Sequence, residues 1–398
     1  RRITKVRTVP SILPDMDSPY RFVAHFIERF GPRKAGTEAE TNAQHYLGEQ
    51  LRTFCDDVAV EPFSAALRAK FSSLRFFTFG FLAALIIPYW SLSIAVLVAL
   101  VNAVLYLFHF VLFHNVLDGL FSKQLSHNTV GTIEPQLKAE NTLIFTGHMD
   151  STPEFIWWYW LKNWGARAMI MAGLAWLSLP IYLLIAWLLK WSVFGSVGWW
   201  IYVALAPLSL VFFFIHGNRV VDGAQDNLSG IAIAYEVVRQ LASRKLQHTR
   251  IRFVSFGAEE CGLKGSAAYA VRYREQLIKE NAQVINLDGV LDIDNMFVLE
   301  AERLPMQIHD KKLVAALLNA FERNGLPKKP GTIPIGGTDA TSFTARGIAA
   351  TSIVGLPMGS LHPTYHTRLD VLECLNPNTL DRITDVLVDF ACTLDKRP

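Results

Sequence analysis

Two long apolar stretches interrupt an otherwise polar chain. The first, residues 76–117, contains no Asp, Glu, Lys or Arg, and the second, from about 168 to 216, carries only Lys190. Because about 20 apolar residues in a helix cross a bilayer core, each stretch is long enough for two crossings. The pattern predicts two transmembrane hairpins, at 71–117 and 166–216, with four transmembrane helices in all.

The residues that flank these hairpins predict their orientation. Pro88 and Lys190 mark the two far turns, whereas most cations gather at the other ends of the hairpins. Those cations are Arg68, Lys70, Arg75, Lys123, Lys162, Arg167 and Arg219. The positive-inside rule therefore places the polar part of this multi-pass membrane protein on the cytoplasmic side. The Trp- and Tyr-rich stretch 155–164 is typical of a membrane–water interface.

The polar remainder alternates between strand and helix patterns. Strands are predicted at 57–63, 128–135, 142–147, 250–257, 282–289 and 350–355. Helices are predicted at 19–30, 37–53, 228–242, 264–279 and 309–324. This alternation is typical of an α/β domain with a mixed central sheet flanked by helices. We expect residues 1–70, 118–165 and 217–398 to form that domain together.

Composition narrows the function classes. Hydrophobic residues make up 51% of the 398 and charged residues only 18%, below the roughly 25% of an average soluble domain. A net charge of +3 without a basic run argues against a nucleic-acid partner. Residues 1–20 contain no apolar core of signal-peptide length. The composition therefore indicates a membrane protein.

Polar residues collect at the ends of several predicted strands and at the start of one helix. They are His148, Asp150, Asp226, Glu259, Glu260, Asp288, Tyr365 and His366. Because open α/β sheets bind ligands beyond the carboxyl ends of their strands, we expect these side chains to meet at one rim. A set of His, Asp and Glu side chains indicates a metal centre with nitrogen and oxygen ligands.

The motifs around these residues resemble the two-zinc aminopeptidase family, which includes the bacterial leucyl-type aminopeptidases and has the glutaminyl cyclases as relatives. The motifs are GPRKAGTEAETNAQHYLGEQL, TGHMDS, GAQDNLSG, FVSFGAEECGLKGSAAY, INLDG, GGTDATSF and YHTRLD. Together they cover nearly all of the chain outside the hairpins. The resemblance implies a zinc aminopeptidase-like fold and metal-dependent removal of N-terminal residues from peptides with a free amine.

The resemblance also implies the metal ligands. Asp226 would bridge two Zn²⁺ ions, with His148 and Asp288 on one ion and Glu260 and His366 on the other. A bridging carboxylate with mixed nitrogen and oxygen ligands suits a two-metal site, which activates water and polarises the scissile carbonyl. Carboxylate-rich sites of this kind also accept Co²⁺ or Mn²⁺.

Three residues take other roles under the same resemblance. Glu259 would be the general base, Tyr365 would help to hold the oxyanion, and Asp150 would support the ligands. Neighbours on an extended segment point apart, so Glu259 can face the water while Glu260 binds metal. Residues two apart on a strand share a face, so Asp150 can reach the ring N–H of His148.

The sequence departs from the family's pattern in two places. His148 and Asp226 lie 78 residues apart because the second hairpin is inserted between them, and GGTDATSF lacks the His that often follows its Asp. The family also implies a cis Asp226–Asn227 peptide bond. Two other functions stay open: a glutaminyl-cyclase-like amide or acyl transfer, and a receptor-like protein without activity.

The strand order predicts where the hairpins join the domain. The strand at 128–135 should run antiparallel to the one at 142–147 and start at the rim, so the first hairpin leaves at the rim. The second hairpin leaves directly after Asp150. We therefore expect the active site to face the lipid bilayer, and the substrate to be a peptide in or near the membrane.

Overall fold

A computed structural model describes residues 16–355 and 362–396. The expectation for residues 1–20 therefore falls largely outside the described residues. The described part contains eleven strands. They are β1 (Asp57–Ala65), β2 (Gln124–Ile133), β3 (Asn141–His148), β4 (Pro153–Phe155), β5 (His216–Val220), β6 (Thr249–Phe256), β7 (Ala282–Asp288), β8 (Phe297–Glu302), β9 (Gln307–Ile308), β10 (Pro330–Ile333) and β11 (Ala349–Val354).

Nine of these strands form one mixed sheet, and β4 pairs with β5 in a separate two-stranded ribbon. The order in the large sheet is β1-β2-β6-β3-β7-β11-β8-β10, with β9 on β8. The central strands β6, β3, β7 and β11 are parallel, whereas β2 runs antiparallel to them and β1 runs antiparallel to β2. The predicted mixed sheet is confirmed, and the sequence patterns missed β8 to β10.

Fourteen α-helices accompany the sheet in the described residues. They are α1 (Pro19–Phe30), α2 (Glu38–Leu51), α3 (Ala69–Ile86), α4 (Leu92–Tyr106), α5 (Ile156–Leu161), α6 (Asn163–Leu188), α7 (Val197–Leu205), α8 (Ser209–Phe213), α9 (Ser229–Arg244), α10 (Lys264–Arg272), α11 (Arg274–Lys279), α12 (Lys311–Arg323), α13 (Ala340–Thr344) and α14 (Pro377–Asp395). The single helix predicted at 264–279 is divided at Tyr273, and α14 was not predicted.

Helices cover both faces of the central sheet. Alternation along β3 sends Leu143 and Phe145 to one face, where α1, α2, α9 and α14 contribute to the main core. Ile144 points to the other face and joins a second core that includes Tyr269 of α10 and Phe343 of α13. Burial on both faces explains why β3 is an unbroken apolar run rather than an alternating one.

Two insertions carry the apolar helices. The first insertion, residues 66–123, lies between β1 and β2 and contains α3 and α4. The second insertion, residues 156–215, lies between β4 and β5 and contains α5 to α8. Apolar side chains from both insertions form one shared core. The insertions therefore pack on each other rather than on separate parts of the domain.

Three helices in the described residues are long and apolar enough to cross a membrane: Ala69–Tyr89, Leu92–Val111 and Asn163–Leu188. The fourth apolar stretch, Val197–Phe213, is shorter. It bends through a 3₁₀ turn at Pro207, because proline removes a helical hydrogen bond. Three of the four predicted helices thus have the length of a membrane span.

Both insertions join the sheet at the same edge, the one formed by the carboxyl ends of the central parallel strands. The end of β1 pairs with the start of β2, Ala65 opposite Gln124, and β2 runs antiparallel to β6. The first insertion therefore leaves from the edge at which β3, β6 and β7 end. The second insertion begins eight residues after His148, the last residue of β3.

Candidate active site

The candidate site begins at the carboxyl ends of three parallel strands. His148 is the last residue of β3 and Asp288 the last of β7, while Glu259 and Glu260 lie in the loop after β6. These strands are adjacent and parallel, so their ends open into one crevice. The structure therefore brings these four side chains to one rim, as the sequence predicts.

Asp226 enters this rim from the segment that precedes α9. Its peptide bond with Asn227 is cis, as the resemblance implies. The Asn227 side chain donates to the Leu287 carbonyl at 2.7 Å and accepts from the Gly289 amide at 3.2 Å. These bonds tie the segment to the end of β7, next to Asp288.

A buried carboxylate that the sequence analysis missed holds the same segment. Asp370 accepts hydrogen bonds from the amides of Gln225, at 2.6 Å, and Asp226, at 3.2 Å. Burial, and the nearby charge of Asp226, raise the pKa of Asp370 to about 8. The only sequence signal for this role is the position of Asp370 four residues after His366 in YHTRLD.

The site residues form two clusters that share Asp226. One oxygen of Asp226 lies 3.1 Å from His148 Nε2, and the other lies 3.1 Å from His366 Nε2. Ligand atoms of His148, Asp226 and Asp288 all lie within 4.8 Å of one another, and so do those of Asp226, Glu260 and His366. The arrangement has two three-residue subsites joined by one carboxylate.

Asp150 organises the loop after β6. Its two carboxylate oxygens accept the amides of Glu259, at 3.0 Å, and Glu260, at 3.2 Å. The ring Nδ1 of His148 is 3.0 Å from the backbone carbonyl of Asp150 but 3.6 Å from the carboxylate. The predicted contact between the carboxylate and the His148 ring is therefore replaced by a contact with the backbone carbonyl.

Glu259 lies where a proton acceptor could work. It is buried, and its Oε2 atom is 3.9 Å from His148 Nε2. Burial raises the pKa of Glu259 well above its ordinary value, and Glu260 and Asp339 add to the rise against the opposing effect of His148. A buried carboxyl group whose pKa is raised holds a proton more readily than an ordinary glutamate, which suits it to proton transfer.

Negative charge dominates the site. Its buried or half-buried carboxylates are Asp150, Asp226, Glu259, Glu260, Asp288, Asp339 and Asp370. Within residues 16–355 and 362–396, no Lys or Arg forms an ion pair with them. Burial and the charge of Asp226 raise the pKa of Asp288 to about 8. Buried charges are normally paired or bind metal, so this set fits divalent cations with nitrogen and oxygen ligands.

The buried carboxylates also raise the pKa values of the two histidines. Burial lowers the pKa of a histidine, but Glu260 and Asp226 outweigh burial at His366 and raise its pKa to about 9. At His148, Glu259 and Asp150 likewise outweigh burial and raise the pKa well above its ordinary value. Both shifts have the same cause, because several buried carboxylates surround each imidazole and favour its charged form.

Tyr365 stands beside the second cluster. Its ring stacks on His366 with centroids 4.0 Å apart, and Trp158 of α5 stacks on both rings, at 5.4 Å and 5.5 Å. Burial, with the nearby Asp226 and Glu260 charges, raises the pKa of Tyr365 well above its usual value. The phenol therefore keeps its proton and can act as a hydrogen-bond donor. The composition of residues 155–164 had predicted only a membrane-interface position for Trp158.

Comparison with known proteins agrees with this geometry. Residues 203–391 match Peptidase family M28. Aminopeptidase YwaD of Bacillus subtilis is 30% identical over 185 residues, which are 44% of this chain and 39% of the relative. Aminopeptidase NAALADL1 of Rattus norvegicus is 26% identical over 201 residues, 43% of this chain and 26% of the relative. The chain thus spans well under half the length of the curated relatives it matches.

Solved structures show the same fold over nearly the whole chain. BSAP, a zinc aminopeptidase from Bacillus subtilis, superposes with a TM-score of 0.58 at 17% identity, covering 98% of this chain and 97% of that one. Porphyromonas gingivalis glutaminyl cyclase gives 0.57 at 16% identity, with 96% and 98% covered. The predicted resemblance is therefore confirmed: the chain has a zinc aminopeptidase-like fold, and its residues 203–391 match Peptidase family M28.

Proposed function

We propose that this protein is a membrane-embedded aminopeptidase with two zinc ions that removes N-terminal residues from peptides. The observation that carries the proposal is Asp226, whose two oxygens each lie 3.1 Å from a different histidine. Such a bridging carboxylate suits a pair of cations rather than one. Zn²⁺ agrees with the nitrogen and oxygen donors, and Co²⁺ or Mn²⁺ would also fit.

His148 and Asp288 would hold one ion, Glu260 and His366 the other, with Asp226 between them. When bound, the ions polarise the scissile carbonyl and lower the pKa of an attacking water. Glu259 takes the proton of that water and delivers it to the leaving amine, because its pKa lies well above the ordinary value.

Two further residues support this chemistry. Tyr365 keeps its phenolic proton and donates a hydrogen bond to the oxygen that becomes negative during attack. Asp150 fixes the backbone of Glu259 and Glu260 through its two hydrogen bonds, so the base and the ligand keep their spacing.

The membrane part of the proposal rests on the two insertions. Three apolar helices have the length of a span, and the shorter Val197–Phe213 would complete the fourth crossing. We propose that 71–117 and 166–216 are the membrane hairpins and that 1–70, 118–165 and 217–398 form the peptidase domain. The cation distribution favours a cytoplasmic position for that domain.

The same geometry supports a substrate near the bilayer. Both insertions leave the sheet at the edge that carries His148 and Asp288. The candidate active site therefore opens on the side of the apolar helices. Peptides in or close to the membrane, with a free N-terminus, are the substrate class that this placement favours.

A glutaminyl-cyclase-like reaction is the second candidate. The fold matches a glutaminyl cyclase about as well as it matches a zinc aminopeptidase. The two subsites around Asp226 favour the peptidase, because both have complete ligand sets. A receptor-like role is the third candidate, and the buried Glu259 speaks against it.

The test uses purified protein in detergent and a panel of aminoacyl fluorogenic amides, with and without an N-terminal acetyl group. We expect cleavage of the free-amine substrates alone. Glu259→Gln should lower the rate about 10²–10⁴-fold because the proton acceptor is lost, whereas the exposed control Glu300→Gln should not. Cyclisation of N-terminal Gln without amide cleavage would favour the second candidate, and inactivity of zinc-loaded protein in both assays would favour the third.

A further inference from the structure

The two candidate subsites differ in what holds their ligands. His148 and Asp288 end β3 and β7, which are paired with each other and with flanking strands of the central sheet. Glu260 and His366 lie in loops instead, and His366 has the positive φ of 55° that side chains rarely adopt. Ligands in loops depend on contacts from elsewhere for their position.

The first insertion supplies contacts to the Glu260 loop. Lys264, four residues after Glu260, is buried and donates to Asp118 Oδ2 at 2.6 Å and to Asn115 Oδ1 at 2.5 Å. Lys70 at the start of α3 donates to the Glu260 carbonyl at 3.4 Å. The chain segments on either side of α3 and α4 are therefore fastened to the loop that carries a candidate metal ligand.

The second insertion and its ribbon hold the His366 loop in the same way. The amide of Phe155 in β4 donates to the His366 carbonyl at 2.9 Å. Arg368 donates to both oxygens of the buried Glu154 at 2.7 Å. Burial raises the pKa of Glu154, but the bonds from Arg368 outweigh burial and hold that pKa below its usual value.

Aromatic rings of α5 complete the attachment. The Trp158 ring stacks on His366 at an interplanar angle of 16°, and Arg368 lies 4.2 Å from the centroid of Tyr159. The Glu260 loop is therefore held by the first insertion, and the His366 loop is held by the second insertion and its ribbon. The first subsite takes its own two ligands from strand ends.

We propose that Lys264 and Arg368 are positioning residues that couple the two apolar insertions to the Asp226–Glu260–His366 subsite. The inference rests on the proposed two-metal function. Loss of either cation loosens Glu260 or His366 and weakens the ion at that subsite, while the ion at His148, Asp226 and Asp288 stays bound. Movement of the helices in a bilayer would then change the occupancy of one subsite and not of the other.

The experiment measures zinc stoichiometry and affinity on the full chain in detergent, by elemental analysis and by competition with a chromophoric chelator. Lys264→Met and Arg368→Met should each retain one tightly bound ion and bind the second about 10- to 100-fold more weakly. Lys264→Arg should restore part of the loss because it keeps the charge. The matched control is Arg250→Met, which removes an ion pair with Glu134 at the opposite end of the sheet.

Reference variants identify the affected subsite. Lys264→Met should add little to the loss caused by His366→Ala, whereas in His148→Ala it should weaken the ion that remains. Arg368 is partly exposed, so Arg368→Met carries the test if Lys264→Met does not fold. Wild-type-like binding of both ions in the folded variants, or equal weakening of both, would overturn the inference alone. Fewer than two ions on the wild-type protein would instead count against the proposed two-metal function.

Discussion

The α/β domain and the two insertions bury and expose opposite kinds of side chain. The domain encloses an apolar core and a site full of buried carboxylates. The insertions turn large apolar residues outward, among them Phe76, Phe79, Leu97, Ile181 and Leu188, each at least 60% exposed. Contiguous exposed apolar surface marks a partner or a membrane. The two regions thus differ in the surroundings that suit them: water for the domain and, under the proposed function, lipid for the insertions.

Inside the insertions, polar side chains form hydrogen bonds between the apolar helices. Asn102 of α4 is buried and donates to the Phe77 carbonyl of α3 at 3.1 Å. Trp176 of α6 donates to the Ser209 hydroxyl of α8 at 2.9 Å. Small and polar residues between helices are typical of helix packing in membranes, where lipid provides no hydrophobic drive for association. Each insertion thus has such a contact between its own helices, and the shared apolar core joins the two insertions to each other.

The largest expected effect comes from a charge on the outer face of an insertion. Leu97 is 60% exposed near the middle of α4, and Leu97→Arg should cost about 2.5–3.5 kcal/mol of membrane insertion. The matched control is Ile308→Arg, at a position 70% exposed on the domain, where water already surrounds the side chain. The measurement is the fraction of each variant that resists alkaline extraction from membranes. Equal behaviour of the two variants would remove the distinction between the regions.

A smaller effect should follow from crowding the helix contact inside the first insertion. A Cβ on Gly80 of α3 would lie 2.2 Å from Oδ1 of Asn102, so Gly80→Ala should lower the free energy of unfolding by about 1–3 kcal/mol. Gly119→Ala is the control, because a Cβ there meets nothing within 4 Å. Thermal unfolding in detergent measures both. If the loss of unfolding free energy in Gly80→Ala/Asn102→Ala equals or exceeds the sum of the losses in the two single variants, the clash is not the cause.

The smallest expected effect concerns the pH dependence of zinc binding in the domain. The pKa of His366 is about 9 without metal, so at neutral pH the ring is protonated and must lose a proton to bind a cation. Apparent zinc affinity should therefore rise with pH up to about pH 9, at most tenfold per unit for each proton displaced, or about 1.4 kcal/mol. Calorimetry in two buffers of different ionisation enthalpy counts the protons.

The control for that measurement is His366→Gln, which should release fewer protons on binding zinc. Zinc affinity that does not change with pH would show that the metal-free site does not hold these protons. Because the proposed metal ligands all belong to the domain, substitutions in the helices of the insertions should leave the proton count unchanged.

Local patterns were sufficient to locate most elements and the site residues. The apolar runs predicted the insertions, and the pattern at 142–147 predicted the strand that the structure shows as β3. The helix predicted at 19–30 agrees with α1, and the Ser18 hydroxyl before it accepts the Arg21 amide. These signals work because burial, capping and proline act over a few neighbouring residues.

Contacts between distant segments were decided only by the tertiary structure. Asp370 holds the amides of Gln225 and Asp226 across 145 and 144 residues, and Lys264 reaches Asp118 across 146. Trp158 suited a membrane interface by composition, yet it stacks on His366. No local pattern encodes such pairs, because a side chain's partner depends on how strands and insertions are brought together. The sequence alone thus indicated the candidate site residues, and packing determined which residues hold them in place.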